Sequence, residues 1–299
     1  MNRSRLVRIL AATGAAILVL GGAAVRFVIT PALLELPANL DTTVRLSGTA
    51  SMLDQAAIRS GDLAGAIRSD VPVTVMNRVH VQAATGDSAI VTSESTVVGA
   101  DDAPLQSATH TWAVNRRTLY PAPVPPGSGA EPHDGLVVGF PLPPQPHDYP
   151  WWDPSTQTTT TARYRDTEAY HGRECYVYQV DASGPVKDPT IVASIPARPV
   201  LGLVATSATT FWVDTATSYV LKVDQSTRVT VSLGGFALPV TVFALSAQYT
   251  PESADTMLRG AQTAGHELDL LQTILPATLL GAGVIAVAIA IRLPRRRSR

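Results

Sequence analysis

Residues 71–98, VPVTVMNRVHVQAATGDSAIVTSESTVV, decide the fold class. Two runs rich in Val and Thr, 71–84 and 88–98, flank the turn Thr85-Gly86-Asp87. β-Branched residues fit a pleated, half-buried surface, and Gly with Asp supplies a tight reversal. A connection this short joins antiparallel neighbours, because parallel strands need a crossover of a dozen residues or more. The stretch therefore predicts a β-hairpin.

The same texture continues towards the C-terminus. Residues 173–181, 208–213, 219–232 and 236–249 read as further strands, with Asp214-Thr215-Ala216-Thr217-Ser218 as the turn between the second and third of these. Composition changes between 120 and 154, where eleven prolines crowd together. Proline has no amide hydrogen to give to a ladder, so this stretch predicts extended loop or sheet edge. Phe140, Leu142, Tyr149, Trp151 and Trp152 are too apolar for a solvated linker, so the proline-rich loop is expected to wrap the sheet.

Both ends of the 299-residue chain are apolar. Residues 9–29 and 268–291 each reach the ~20 residues that cross ~30 Å of hydrocarbon. Thr250-Pro251-Glu252 supplies an N-cap, a proline at the first helical position and an acid in the first turn. Met257, Leu258, Ala261, Ala264, Leu268 and Leu271 follow at helical spacing, which predicts a helix running into the second span with a kink at Pro276. Arg3, Arg5 and Arg8 precede the first span, and Arg292, Arg295, Arg296, Arg297 and Arg299 follow the second. Basic residues stay on the cytoplasmic side, so both termini are expected inside and the middle outside the plasma membrane. Arg26 opposes a simple first span and is relieved by snorkelling to the interface. The expected layout is a basic cytoplasmic N-terminus (1–8), transmembrane helix 1 (9–29), an extracytoplasmic β-rich domain (30–250), a juxtamembrane helix (251–273), transmembrane helix 2 (274–291) and an Arg-rich cytoplasmic tail (292–299). A cleaved signal peptide ending at Gly21-Gly22-Ala23 is the competing reading of the first span. In sum the expected fold is mainly β, an antiparallel β-rich extracytoplasmic domain between N- and C-terminal transmembrane helices.

Setting the ends aside leaves 14 basic residues against all 24 acidic ones, so the middle carries a charge of −10. An acidic body lacks the basic field that phosphate binding needs, which argues against nucleic acid as a partner. A lone Cys175 cannot form an internal disulfide, and within Cys175-Tyr176-Val177-Tyr178 it reads as a small buried hydrophobe. Small residues four apart (Ala11/Ala15, Ala12/Ala16, Ala277/Gly281, and Ala282, Ala286, Ala290) would let the spans pair with each other or with another copy, or arise by chance in Ala-rich helices.

Catalytic signatures are missing. No Gly-x-Ser-x-Gly elbow occurs, and Gly127-Ser128-Gly129 lies in the proline-rich loop. His133-Asp134 and His147-Asp148 are ligand pairs without a His-x-x-x-His or Cys pair to complete zinc, and Asp101-Asp102 offers calcium too few acids. No glycine loop cradles a phosphate. No metal or other cofactor is therefore expected. Tyr149, Trp151 and Trp152 are the distinctive cluster, as a surface for sugar rings or lipid or as a structural plug.

Asp148-Tyr149-Pro150-Trp151-Trp152-Asp153-Pro154, then Tyr170-His171-Gly172 ahead of 174–178, then Trp212-Val213-Asp214, resemble the marks of the actinobacterial PorA-like family. That resemblance implies the same layout of span, ectodomain and span, and through its name a porin. The family's Asp-Pro-x-Thr-Gly turn stands here as Asp214-Thr215-Ala216-Thr217-Ser218, without its Pro and Gly. A porin crosses the membrane as a closed barrel of strands, whereas the spans here read as helices without ionisable residues in their middles. The leading expectation is thus a non-enzymatic cell-envelope membrane protein whose ectodomain binds or organises a lipid, glycan or partner protein. A porin-like channel is the alternative, and an envelope-polymer enzyme using His133, His147 or His171 as base is the third.

Overall fold

A computed structural model describes residues 18, 34–62, 65–100, 102, 104–187, 201–233 and 236–292. The expected first span, apart from Leu18, and the tail beyond Arg292 lie outside the described residues. Among the described residues ten strands follow one another: β1 (Asp41–Leu53), β2 (Ile67–Thr85), β3 (Ser88–Val98), β4 (Pro104–Asn115), β5 (Tyr149–Asp153), β6 (Thr158–Tyr170), β7 (Arg173–Pro185), β8 (Leu201–Asp214), β9 (Val220–Leu233) and β10 (Phe236–Tyr249). They form one sheet in the order β4-β3-β2-β1-β10-β9-β8-β7-β6-β5, with every pairing antiparallel, a half-barrel.

Two meanders make this sheet, β1–β4 and β5–β10, and only the β1–β10 pairing joins them within it. The seam runs from Leu46 opposite Tyr249 to Met52 opposite Phe243. It needs a close approach, since a Cβ on Gly48 would lie 1.8 Å from the Ser246 carbonyl oxygen. Leu46, Ala50, Leu245 and Ala247 are buried along it with Val73, Val75, Val97 and Val223, so the seam is also a hydrophobic centre.

The proline-rich segment joins the meanders a second time, across the two sheet edges. The Asn115 amide donates to the Tyr120 carbonyl (2.8 Å), Ala122 to Ala113 (2.9 Å) and Glu131 to Thr111 (2.7 Å), all on the β4 edge. Leu136 then donates to the Pro150 carbonyl (2.9 Å) and accepts from the Trp152 amide (3.0 Å), on the β5 edge. Pro150 sits where its missing N–H costs no ladder bond with β6, as edge prolines do. Gly135 lets the segment come this close: its φ is +124°, and a Cβ would meet the Pro150 oxygen at 2.9 Å. Within this stretch, read from the sequence as extended loop or sheet edge, residues 149–153 form the edge strand β5.

A short helix α1 (Gln55–Ser60) follows β1, capped by the Asp54 carboxylate accepting from the Ala56 and Ala57 amides (2.8 and 3.0 Å). These two bonds hold the Asp54 carboxyl below its ordinary pKa. After β10 comes α2 (Pro251–Asp269), opened as the sequence predicts by Thr250, whose Oγ1 accepts from the Ser253 amide at 3.2 Å. Ser253 Oγ in turn accepts from the Arg45 amide (2.8 Å), which ties the start of α2 to β1. Met257 and Ala261 bury themselves with Cys175 and Leu221. Then follow a π-turn (Leu270–Ile274) and α3 (Leu275–Arg292). Where a kink is expected at Pro276, the Leu275 amide bonds back to the Leu270 carbonyl, a widened turn beside the proline that lacks an amide of its own. The continuous helix over Pro251–Ala288 is long and apolar enough to cross a membrane.

If the seam depends on that contact, Gly48→Val should lower unfolding stability by at least ~3 kcal/mol. Gly281→Ala, whose Cβ meets nothing within 4 Å, should be near neutral. Urea unfolding in detergent, followed by tryptophan fluorescence, checks both.

Candidate functional site

Side chains from both meanders converge on a cleft of about 400 Å³. Alternation explains how: each strand sends every second residue to one face, and antiparallel register brings those residues side by side. Leu46, Val75 and Val97 stand in register across β1, β2 and β3, and Val223 faces Phe211 across β9 and β8. Together with Phe243 they give the cleft an apolar floor. A polar wall stands beside it, with Asn77 opposite Ser95, Ser93 opposite His110, and Gln106 further along β4. Thr209 opposite Gln225 adds a second polar pair from the other meander.

The β4 wall is held by the segment that closes the edges. His110 Nδ1 lies 3.0 Å from Glu131 Oε2, and its ring stacks on Trp112 at 5.4 Å between centroids. Trp112 is 3% exposed, yet its indole nitrogen has no hydrogen-bond partner among the described residues, and neither has Asn77 Oδ1. The ring of His133 lies 6.3 Å from Trp112, and burial lowers the pKa of this imidazole.

The expected aromatic cluster is divided between core and cleft. Tyr149 is 3% exposed and packs edge-on to Phe140 and Tyr178, and its hydroxyl accepts from the Gln145 amide (2.9 Å). Burial drives the Tyr178 phenol well above its ordinary pKa. Trp151 packs on Phe140 and Phe211, and both Trp151 and Trp152 reach the cleft.

Two hairpins carry the same turn. In Asp153-Pro154-Ser155-Thr156-Gln157 the carboxylate accepts from the Thr156 amide and hydroxyl (3.0 and 2.5 Å). In Asp214-Thr215-Ala216-Thr217-Ser218 it accepts from the Thr217 amide and hydroxyl (2.9 and 2.5 Å). The fifth residue has positive φ in each, +52° at Gln157 and +59° at Ser218, which is why glycine would suit that place. Asp214 is further paired with Arg173 through two bonds of 2.6 and 2.8 Å.

The remaining candidates lie apart from one another. His147 bonds through Nδ1 to the Asp148 carbonyl (2.7 Å) at the surface, and His171 forms the β6–β7 turn at φ +47°. Asp102 is exposed with φ +58°, while Asp101 lies outside the described residues. The described residues contain no group of three or more His, Cys, Asp or Glu side chains placed to hold a metal. Cys175 is fully buried, and burial pushes its thiol up to about 11. A larger hollow, about 640 Å³, runs along Thr49, Ser246, Ser226, Thr206 and Ser183, with Asp70, Asp181 and Arg228 also in its lining.

The Porin PorA family model matches residues 7–292. The chain belongs to that family. No curated protein matches it. Among solved structures, a Lactobacillus plantarum protein described as an oleoyl thioesterase shares 11% identity over 82% of this chain and 86% of its own, with a TM-score of 0.16. A Chloroflexus aurantiacus protein described as a MaoC domain dehydratase shares 11% over 79% and 80%, also at 0.16. TM-scores this low support no inference about this PorA-family chain. Family and apolar helix together point to membrane association.

Asn77, Ser93, Ser95, Gln106, His110 and Glu131 are absent from the residues singled out by sequence. One signal for them exists: in residues 71–81 every odd position is Val except Asn77, a polar residue on an otherwise apolar face.

A thiol so buried should resist alkylation. Iodoacetamide at pH 8 is expected to leave Cys175 unmodified in the folded chain and to label it fully in 8 M urea, as read by intact mass.

Proposed function

We propose that this PorA-family chain is a membrane-anchored, non-enzymatic binding protein whose β domain lies outside the plasma membrane. Its cleft holds the apolar part of a lipid or lipid-linked molecule. The observation that carries the proposal is the cleft itself, with an apolar floor supplied by both meanders and polar groups confined to its walls. Its volume of about 400 Å³ falls within the ~300–1,000 Å³ usual for ligand sites. An apolar floor of Leu46, Val75, Val97, Phe211 and Phe243 gains by excluding water, and a hydrocarbon tail gains with it. The transmembrane-length helix gives the same chain a means of association with a bilayer, the source of such a ligand.

The channel reading has less support. Phe140, Tyr149 and Tyr178 are packed on one another in a buried aromatic cluster, which fills space that an open path would need. Binding without catalysis also agrees with the scatter of His133, His147 and His171.

Native mass spectrometry of the detergent-extracted protein tests the proposal. Wild type should carry a lipid-sized adduct. Ala108→Trp, which places a bulky ring in the cleft from the half-exposed β4 edge, should cut occupancy about tenfold at unchanged melting temperature. A bare wild type, or an Ala108→Trp protein with full occupancy, would overturn it.

A further inference from the structure

Resting on the lipid-binding proposal, we infer that the polar wall of the cleft selects an uncharged, hydroxyl-rich headgroup, a sugar or polyol, over a phosphate or a cation. Charge decides first. No lysine or arginine lines the cleft among the described residues, whereas Asp153 does, at 8% exposed. His110 is engaged by Glu131 at 3.0 Å. A phosphate lodged there would lose its water without gaining a cation, beside a carboxylate of its own sign.

A quaternary ammonium headgroup is drawn by the Asp153 charge but can satisfy none of the hydrogen-bonding groups of the wall. The Asp153 carboxylate is engaged through Oδ2 by the amide and hydroxyl of Thr156. The rest of the wall is neutral: the amides of Asn77 and Gln106 and the hydroxyls of Ser93 and Ser95.

Hydrogen-bond sense decides next. The wall contains one unpaired buried donor, Trp112 Nε1, and one unpaired buried acceptor, Asn77 Oδ1. Leaving either without a partner is costly. A phosphate diester only accepts and a quaternary ammonium does neither, whereas a set of hydroxyls both donates and accepts. Trp151 and Trp152 border the same cleft, and indole rings are groups on which a sugar can stack.

The test uses the full-length chain in detergent and four lipids with identical dioleoyl chains: glucosyl-diacylglycerol, diacylglycerol, phosphatidic acid and a trimethylammonium lipid. Competition is read by native mass spectrometry. The glucosyl lipid should be preferred at least tenfold over phosphatidic acid and over the cationic lipid. In Asn77→Leu/Gln106→Leu this preference should fall below threefold while diacylglycerol still binds. Methyl glucoside that displaces the glucosyl lipid in wild type supports the wall as a sugar site independent of the tail, and its failure to do so supports recognition of sugar and tail together. Equal or better binding of phosphatidic acid or the cationic lipid, or an unchanged preference in the double variant, would sink the headgroup assignment and leave lipid binding standing. Binding of none of the four would remove both.

Discussion

Everything in the β domain depends on the β1–β10 seam. A four-stranded and a six-stranded meander are each short of a closed core, and a single antiparallel ladder turns them into one sheet. The ladder requires backbone against backbone at Gly48, where no side chain fits. Around it the buried Leu, Ala and Val side chains of both halves meet, so hydrogen bonding and apolar burial are secured at the same place. The cleft inherits its two walls from this arrangement, one from each meander.

A second closure gives the cleft its asymmetry. Because the proline-rich segment bonds to both the β4 and β5 edges, it satisfies backbone groups that an open sheet would expose to other chains. It also delivers Glu131 to His110, and Leu136 and Phe140 to the buried aromatic cluster around Tyr149 and Tyr178. One connection thus covers edges, orders a polar wall and completes a buried cluster.

Much of this was legible in the sequence, and unevenly so. The hairpin of β2 and β3 and the run from β7 to β10 declare themselves by Val, Thr and aromatic content. β1 and β6 do not, because Asp41-Thr42-Thr43 and Thr158-Thr159-Thr160-Thr161 look like loop composition, and it is pairing with neighbours that makes them strands. Pro150 and the surrounding prolines marked loop or sheet edge without saying which residues pair, and β5 is the edge strand among them. The helix start at Thr250 was readable from its cap. The polar wall was not, because Ser93, Ser95 and Gln106 lie in strands where alternate polar residues ordinarily mean solvent. Only the register across β2, β3 and β4 reveals that they look inward. Family marks at Asp153 and Asp214 turn out to be two copies of one carboxylate-threonine turn, with roles in chain reversal.

The tie between the sheet edges acts like a drawstring. Strand number leaves the width of the mouth undetermined, since the two edges never pair with each other. The span is set instead by how many residues lie between the anchor at Glu131 and the anchor at Leu136, and by how stiffly those residues hold their reach. A chain with the same ten strands and a longer string would therefore gape more widely and accept a bulkier cargo, without any change in the floor.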